Sequence, residues 1–209
     1  MFITFEGIDG CGKTTVLNLF AKYLQKKFPT REIIVTREPG GTGVVEAEKV
    51  REIALDRNHD ISPYSEMLLM ATSRRMHLEK LIWPALKENK IILCDRYIDS
   101  SIAYQGFGLQ LGEQLVSMVN NLISNNTKPD ITFFIDVEPK VAFERMSQII
   151  NHKRDRLEIR GRQFYLRVIE GFNFVAKQRP NNFFKISGNN QPEEVLANVI
   201  NVFEKFLAG

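Results

Sequence analysis

Eight residues near the start constrain this chain more than any other feature: Gly7-Ile8-Asp9-Gly10-Cys11-Gly12-Lys13-Thr14 fits G-x-x-x-x-G-K-[ST] without a mismatch. An apolar run, Phe2 to Glu6, leads into it, and a helical pattern from Lys13 to Lys27 leads out. A turn this tight between a strand and a helix needs glycine, because only a residue without a Cβ lets successive backbone N–H groups point to one centre. Those N–H groups and the positive end of the helix make a seat for phosphate oxygens. Lys13 adds a point charge suited to β- and γ-phosphates, and Thr14 a hydroxyl suited to Mg²⁺. Gly7 through Thr14, with Thr15 behind them, are the expected contacts of a nucleoside triphosphate.

The rest of the chain repeats the strand-then-helix order. Apolar runs at Phe2 to Glu6, Ile33 to Thr36, Ile91 to Asp95, Ile131 to Asp136 and Phe183 to Ser187 read as strands. They do not alternate with polar residues, which is how strands buried on both faces of a parallel sheet read. Between them lie helical patterns at Val44 to Leu55, Tyr64 to Glu88, Gly112 to Asn125, Pro139 to Ile150, Arg162 to Lys177 and Pro192 to Leu207. The alternation predicts a doubly wound α/β fold, with ligands beyond the carboxyl ends of the strands. At 209 residues, with no linker or repeat, the expectation is one domain spanning 1–209. No stretch approaches the ~20 apolar residues of a membrane span. Glu6 stands where a secretory signal would be basic and then apolar, so a cytoplasmic protein is expected. Cys11 and Cys94 have no partner at metal or redox spacing and read as small apolar residues.

A net charge of +3 arises from 28 basic and 25 acidic residues, too even a balance to imply nucleic acid. The bases that cluster, Lys153, Arg154, Arg156, Arg160, Arg162 and Arg167, have little aromatic interleaving and suit a local phosphate site better than a duplex-binding face. A guanine-specific switch would carry N-K-x-D, and Asn126-Thr127-Lys128-Pro129-Asp130 does not have that spacing.

Other strand ends carry groups that a second phosphate substrate would need. Arg37 opens Arg37-Glu38-Pro39-Gly40-Gly41-Thr42, where it can fork onto a phosphate or pair with a surface acid. Asp95 suits Mg²⁺ or its waters and Arg96 an acceptor phosphate, although the same pair could be a salt-bridged strand end. Met70 and Arg74 share a helix face at i, i+4, offering an apolar cover and a cation, while either alone could serve core or surface. Ser100 to Gly106 brings hydroxyls and an amide that could read a base edge or begin a polar helix.

Taken together, Phe5 to Gly10, Thr36 to Thr42, Cys94 to Tyr97 and Ser100 to Gly106 resemble bacterial-type thymidylate kinases, in order and over nearly the whole chain. The resemblance implies a P-loop kinase fold with a five-stranded parallel sheet flanked by helices, a homodimer, ATP and Mg²⁺ as co-substrates, and dTMP converted to dTDP. It makes Asp9 a contact near the acceptor sugar and Mg²⁺, and Arg37, Arg74 and Arg96 the acceptor's phosphate ligands. Ser101 and Gln105 would face thymine, and Tyr104 would crowd the sugar against a 2′-hydroxyl. The family usually has an aromatic residue four positions before the arginine matched to Arg74, and Met70 stands there instead.

A short basic lid is expected at about 150–161, from Asn151-His152-Lys153-Arg154-Asp155-Arg156-Leu157-Glu158. Phosphoryl transfer needs positioned cations and exclusion of water. The phosphate loop has no interior arginine, so Arg154 and Arg156 are the expected catalytic cations, with surface pairing to Asp155 or Glu158 as their structural alternative. Two other readings remain open from residues alone: a P-loop kinase for another nucleotide or a deoxynucleoside, and a nucleotide-binding regulatory module without turnover.

Overall fold

A computed structural model describes residues 1–147 and 160–208. Five strands, β1 Phe2–Glu6, β2 Ile33–Arg37, β3 Ile91–Asp95, β4 Ile131–Asp136 and β5 Phe183–Ser187, form one sheet in the order β2-β3-β1-β4-β5. Every pairing is parallel, so all carboxyl ends share one edge. The helical segments are α1 Lys13–Lys27, α2 Val45–Leu55, α3 Pro63–His77, α4 Trp83–Lys87, α5 Ile98–Ser101, α6 Glu113–Ser124, α7 Pro139–Ser147, α8 Gly161–Gln178 and α9 Pro192–Ala208. The doubly wound α/β expectation agrees with this, and β2 runs one residue further than expected, to Arg37.

The central strand shows why its sequence does not alternate. All five residues of β1 are buried, because side chains on both faces meet helices. Ile3 and Phe5 point into the larger core, where Phe5, Phe20 and Phe133 lie within 5.8 Å of one another between ring centroids. Phe2 points the other way, edge-on to Tyr97 at 4.9 Å, into a smaller core with Leu78, Ile82 and Cys94. Each of these fully buried aromatic rings contributes roughly 1.5–3 kcal/mol over exposure. Cys11 and Cys94 are buried free thiols, and burial pushes both thiol pKa values up, as fits apolar packing rather than chemistry.

Two wide helical turns depart from the expected pattern. The long helix expected over Tyr64 to Glu88 contains a π-turn at Leu78–Ile82, in which Trp83 N–H donates to Leu78 O. Pro84 follows directly, and a proline cannot donate and crowds the carbonyl four residues back; the wider turn accommodates it without ending the helical run. Trp83 packs against the smaller core, donates to Thr127 Oγ1 at 2.8 Å and lies under Arg75 at 4.7 Å. A second π-helix, Ile102–Gly108, continues α5 and carries Tyr104 and Gln105.

Candidate active site

The phosphate loop joins β1 to α1 as its sequence requires. Gly7 and Gly10 have φ of 144° and 79°, and a Cβ on Gly10 would come within 2.3 Å of Ala142 O. Neither position tolerates a side chain, for conformational and for steric reasons. Lys13 begins α1 and is 7% exposed, with Nζ 3.8 Å from Asp9 Oδ1 and 3.9 Å from Asp95 Oδ1. Thr14 Oγ1 donates to Asp95 Oδ2 at 2.5 Å. This hydroxyl and carboxylate, beside Lys13, are hard oxygen donors of the kind that bind Mg²⁺ together with waters and substrate phosphates. Among the described residues no cluster of three or more acidic, His or Cys side chains forms a closed metal cage.

On one side of the loop a cleft of about 590 Å³ is lined by Asp9, Glu38, Pro39, Arg51, Leu55, Met70, Arg74, Arg96, Tyr97, Ser100, Ser101, Tyr104 and Gln105. Seven of the expected acceptor residues, Asp9, Met70, Arg74, Arg96, Ser101, Tyr104 and Gln105, thus converge from four separate segments. Asp9 is the joint between the cleft and the loop. Its Oδ1 accepts from Arg96 Nη2 at 2.6 Å and its Oδ2 from Tyr104 Oη at 3.1 Å. Burial by itself would raise its pKa, but the charges of Arg96 and Lys13 and these hydrogen bonds outweigh it and hold the carboxyl well below its usual range. Arg96 adopts φ 71°, an uncommon left-handed conformation for a non-glycine residue, and lies over the Tyr104 ring at 4.9 Å.

Arg74 is 4% exposed and engaged on four sides. Nε donates to Glu38 at 2.6 Å, Nη1 to Ser101 Oγ at 3.0 Å and Asn120 Oδ1 at 2.6 Å, and Nη2 to Tyr97 O at 3.1 Å. With five N–H donors in all, it suits a single bond to a ligand rather than a bidentate clamp. Arg37 does not line the cleft: its side chain is 43% exposed and paired with Glu48 at 2.8 Å. Arg154 and Arg156 lie outside the described residues.

Several groups in the site carried no signal of their own in the sequence. Glu38, 3% exposed, accepts from Arg74 and pairs at Oε1 with His77 Nδ1 at 3.0 Å, while His77 Nε2 meets Thr36 Oγ1 at 2.8 Å. Arg51 and Leu55 share a face of α2 at i, i+4, a spacing that could have marked them. Tyr165 Oη reaches Asp9 Oδ2 at 3.5 Å from α8.

On the other side of the loop a second cleft, of about 720 Å³, is lined by Cys11, Gly12, Thr15, Val16, Arg145, Gly188 and the stretch Asn189 to Pro192, with Val195. Arg145 spans it, donating to Gly188 O at 3.0 Å and Cys11 O at 3.4 Å. Gly188, directly after β5, forms part of its wall; Arg145 was not foreseen, because a single arginine on α7 has no pattern.

A parallel α/β sheet with a phosphate loop at its carboxyl edge, and a cleft on either side of that loop, defines the P-loop nucleotide kinase class. Residues 5–199 match the family model described as thymidylate kinase. The chain is 60% identical to the thymidylate kinase of Mesomycoplasma hyopneumoniae (strain J) over 208 residues, covering 100% of this chain and 98% of that one. Against the thymidylate kinase of Mycoplasma mobile identity is 42%, covering 99% of each chain. A crystal structure of thymidylate kinase from Ehrlichia chaffeensis superposes with a TM-score of 0.78 at 37% identity, covering 97% of this chain and 98% of that one. The chain belongs to the thymidylate kinase family.

Proposed function

We infer that this protein transfers the γ-phosphoryl group of ATP to dTMP, giving ADP and dTDP for nucleotide biosynthesis. The observation that carries the reading is the pair of clefts meeting at one phosphate loop, with Lys13 and Asp9 on the boundary. Two nucleotides entering from opposite sides would bring their phosphates together there, which is most of what phosphoryl transfer asks of a protein.

The second cleft suits adenosine, with Thr15 and Arg145 beside it, and the loop from Gly7 to Thr14 holds the triphosphate through backbone N–H groups. In the acceptor cleft the cationic end, Arg96 beside Asp9, faces the phosphate loop and takes the dTMP phosphate. Met70 and Leu55 provide the apolar cover at the far end, where the base lies against Ser101 and Gln105. Tyr104, anchored on Asp9, stands beside the sugar between these ends. Arg37 joins the phosphate ligands by exchanging Glu48 for the phosphate. Arg74 supplies one N–H while Glu38 fixes its plane.

Thr14 and Asp95 would hold Mg²⁺, which when bound neutralises phosphate charge and orients the transferring group. Lys13 stabilises charge on the β- and γ-oxygens. Arg154 and Arg156 serve as the lid cations, acting on charge that develops in transfer. No general base is needed, since the acceptor phosphate is already ionised near pH 7.

The homodimer belongs to the same reading. Tyr64 and Leu68 on α3, Ile53 on α2, and Met118 and Leu122 on α6 are large apolar side chains left 46–76% exposed on helices that pack together. Partners beyond a second copy are nucleotides rather than nucleic acid or membrane, and no helix among the described residues is long and apolar enough to cross a bilayer. A soluble nucleotide substrate fits a cytoplasmic setting.

A coupled assay of ADP release over a panel of nucleoside monophosphates and nucleosides tests the assignment. We expect dTMP to give the highest kcat/KM, and turnover confined to another nucleotide or a nucleoside would overturn it.

A further inference from the structure

Glu66 stands one helical turn before Met70 on α3 and is 0% exposed, yet no step of phosphoryl transfer uses it. A buried carboxylate is kept only where its oxygens are matched by donors. Here Oε1 accepts from Gln105 Nε2 at 3.0 Å, and Oε2 accepts from Arg160 Nη2 at 2.7 Å. Arg160 also lies over the Phe164 ring at 5.3 Å, so a residue at the start of α8 balances the charge of one on α3.

Gln105 is the one of these groups that reaches the acceptor cleft, and it is 3% exposed. Its amide has two faces of opposite character, a donating NH₂ and an accepting oxygen. A carboxylate can only accept, so the NH₂ must turn toward Glu66 whichever way an isolated amide would prefer. The oxygen is what remains for the cleft. The backbone that carries the glutamine is itself held, with Leu109 N–H donating to the Tyr104 backbone carbonyl at 2.8 Å and Leu111 N–H to the backbone carbonyl of Gln105 at 3.2 Å.

The geometry points to Glu66 as a positioning residue that sets base preference: by orienting the Gln105 amide it makes the cleft present an acceptor to the base. Thymine and uracil carry an N–H at ring position 3 and satisfy that acceptor. Cytosine carries a lone pair there and would leave two acceptors opposed, a mismatch that buried polar sites reject strongly. This rests on the proposed placement of the base beside Met70 and Gln105.

The test is steady-state kinetics with dTMP, dUMP and dCMP on the full chain and on Glu66→Gln, each checked for folding by thermal melting. A glutamine at 66 can donate as well as accept, so Gln105 is released to turn either way. We expect the dTMP to dCMP ratio of kcat/KM to fall by at least about tenfold, chiefly through KM for the nucleotide, with KM for ATP unchanged. The paired exchange Glu66→Gln with Gln105→Glu keeps the net charge and again presents an acceptor to the cleft. It should return the ratio to near the parent value, and it serves also if the single variant does not fold. A folded Glu66→Gln that keeps the parental ratio, or that loses both nucleotides equally as a merely structural residue would, overturns the proposal, as does a folded exchange variant with no preference. A parent protein that does not favour dTMP over dCMP would instead overturn the placement of the base, so the two failures are distinct.

Discussion

The phosphate loop and the acceptor cleft face each other across Asp9, and they are built in opposite ways. The loop is contiguous: Gly7 to Thr14 make their geometry from local backbone freedom, and its key side chains, Lys13 and Thr14, meet the carboxylates at its rim, Asp9 and Asp95, rather than the apolar core. The acceptor cleft is assembled from the segments that follow β1, β2 and β3, from α2, α3 and α5, and from the π-helix, and its side chains hold one another. Arg74, with four protein acceptors, and Glu38, shared between Arg74 and His77, are parts of the fold as much as of the site. The difference teaches that chemistry and stability can be separated on one side of this active site and cannot be on the other.

The sharpest way to break that comparison is to remove Lys13. We expect Lys13→Ala to lower kcat by about 10³-fold, or ~4 kcal/mol of transition-state stabilisation, while the melting temperature stays close to the parent. A folded variant with near-normal turnover would end the role of the loop in transfer. Glu38→Gln should do the reverse in kind: breaking its buried pairing with Arg74 and His77 costs about 3 kcal/mol of unfolding free energy, read by denaturant titration. Unchanged stability would show that the cleft is not part of the structural framework.

Met70 probes the apolar end of the cleft with a smaller effect. Met70→Ala leaves a gap beside the base and should weaken dTMP binding by about tenfold or more with ATP binding unaltered. Met70→Phe exchanges a sulfur contact for ring stacking of similar size, so its change should stay below about tenfold. If Met70→Ala binds dTMP as the parent does, Met70 is a core residue only.

The last expected effect concerns pH and is read as a slope per pH unit. Burial, together with the neighbouring charge of Asp99, raises the Glu6 pKa from its ordinary 4.5 to about 8, against the opposing pull of Ser100, Arg96 and Tyr97. Between those two values the folded protein holds a proton that the unfolded chain has released. Stability contributed by this group is therefore full below pH 4.5 and is lost as pH rises toward 8, at no more than about 1.4 kcal/mol per pH unit for one proton. Glu6→Gln should flatten that slope in denaturant titrations run from pH 5 to 8, and an unchanged slope would assign it to other groups.

Strand and helix order was legible in the residues because β-strands buried on both faces must be apolar throughout, and the loop because its backbone requires glycine at stated positions. Met70 and Arg74 were legible as a pair because helical spacing puts them on one face, and both do line the cleft. Arg37 is a different case: its position at the end of β2 was readable, but not that Glu48, eleven residues on, would hold its guanidinium away from the cleft. The helical pattern from Tyr64 to Glu88 was readable straight across Pro84, but not the wider turn at Leu78–Ile82 that precedes the proline.

What the sequence by itself determined is whatever depends on neighbours along the chain: the phosphate loop, the periods of strands and helices, and the strand ends at which ligands gather. What only the tertiary structure decided is which distant groups complete one another. Glu38 with Arg74 and His77, Glu66 with Gln105 and Arg160, and Arg145 with Gly188 are each joined across dozens of residues. The reason is physical: backbone conformation is set by sterics within a few residues, whereas the pairing of buried polar groups is set by desolvation, which exists only once helices from remote parts of the chain have closed over the same cleft.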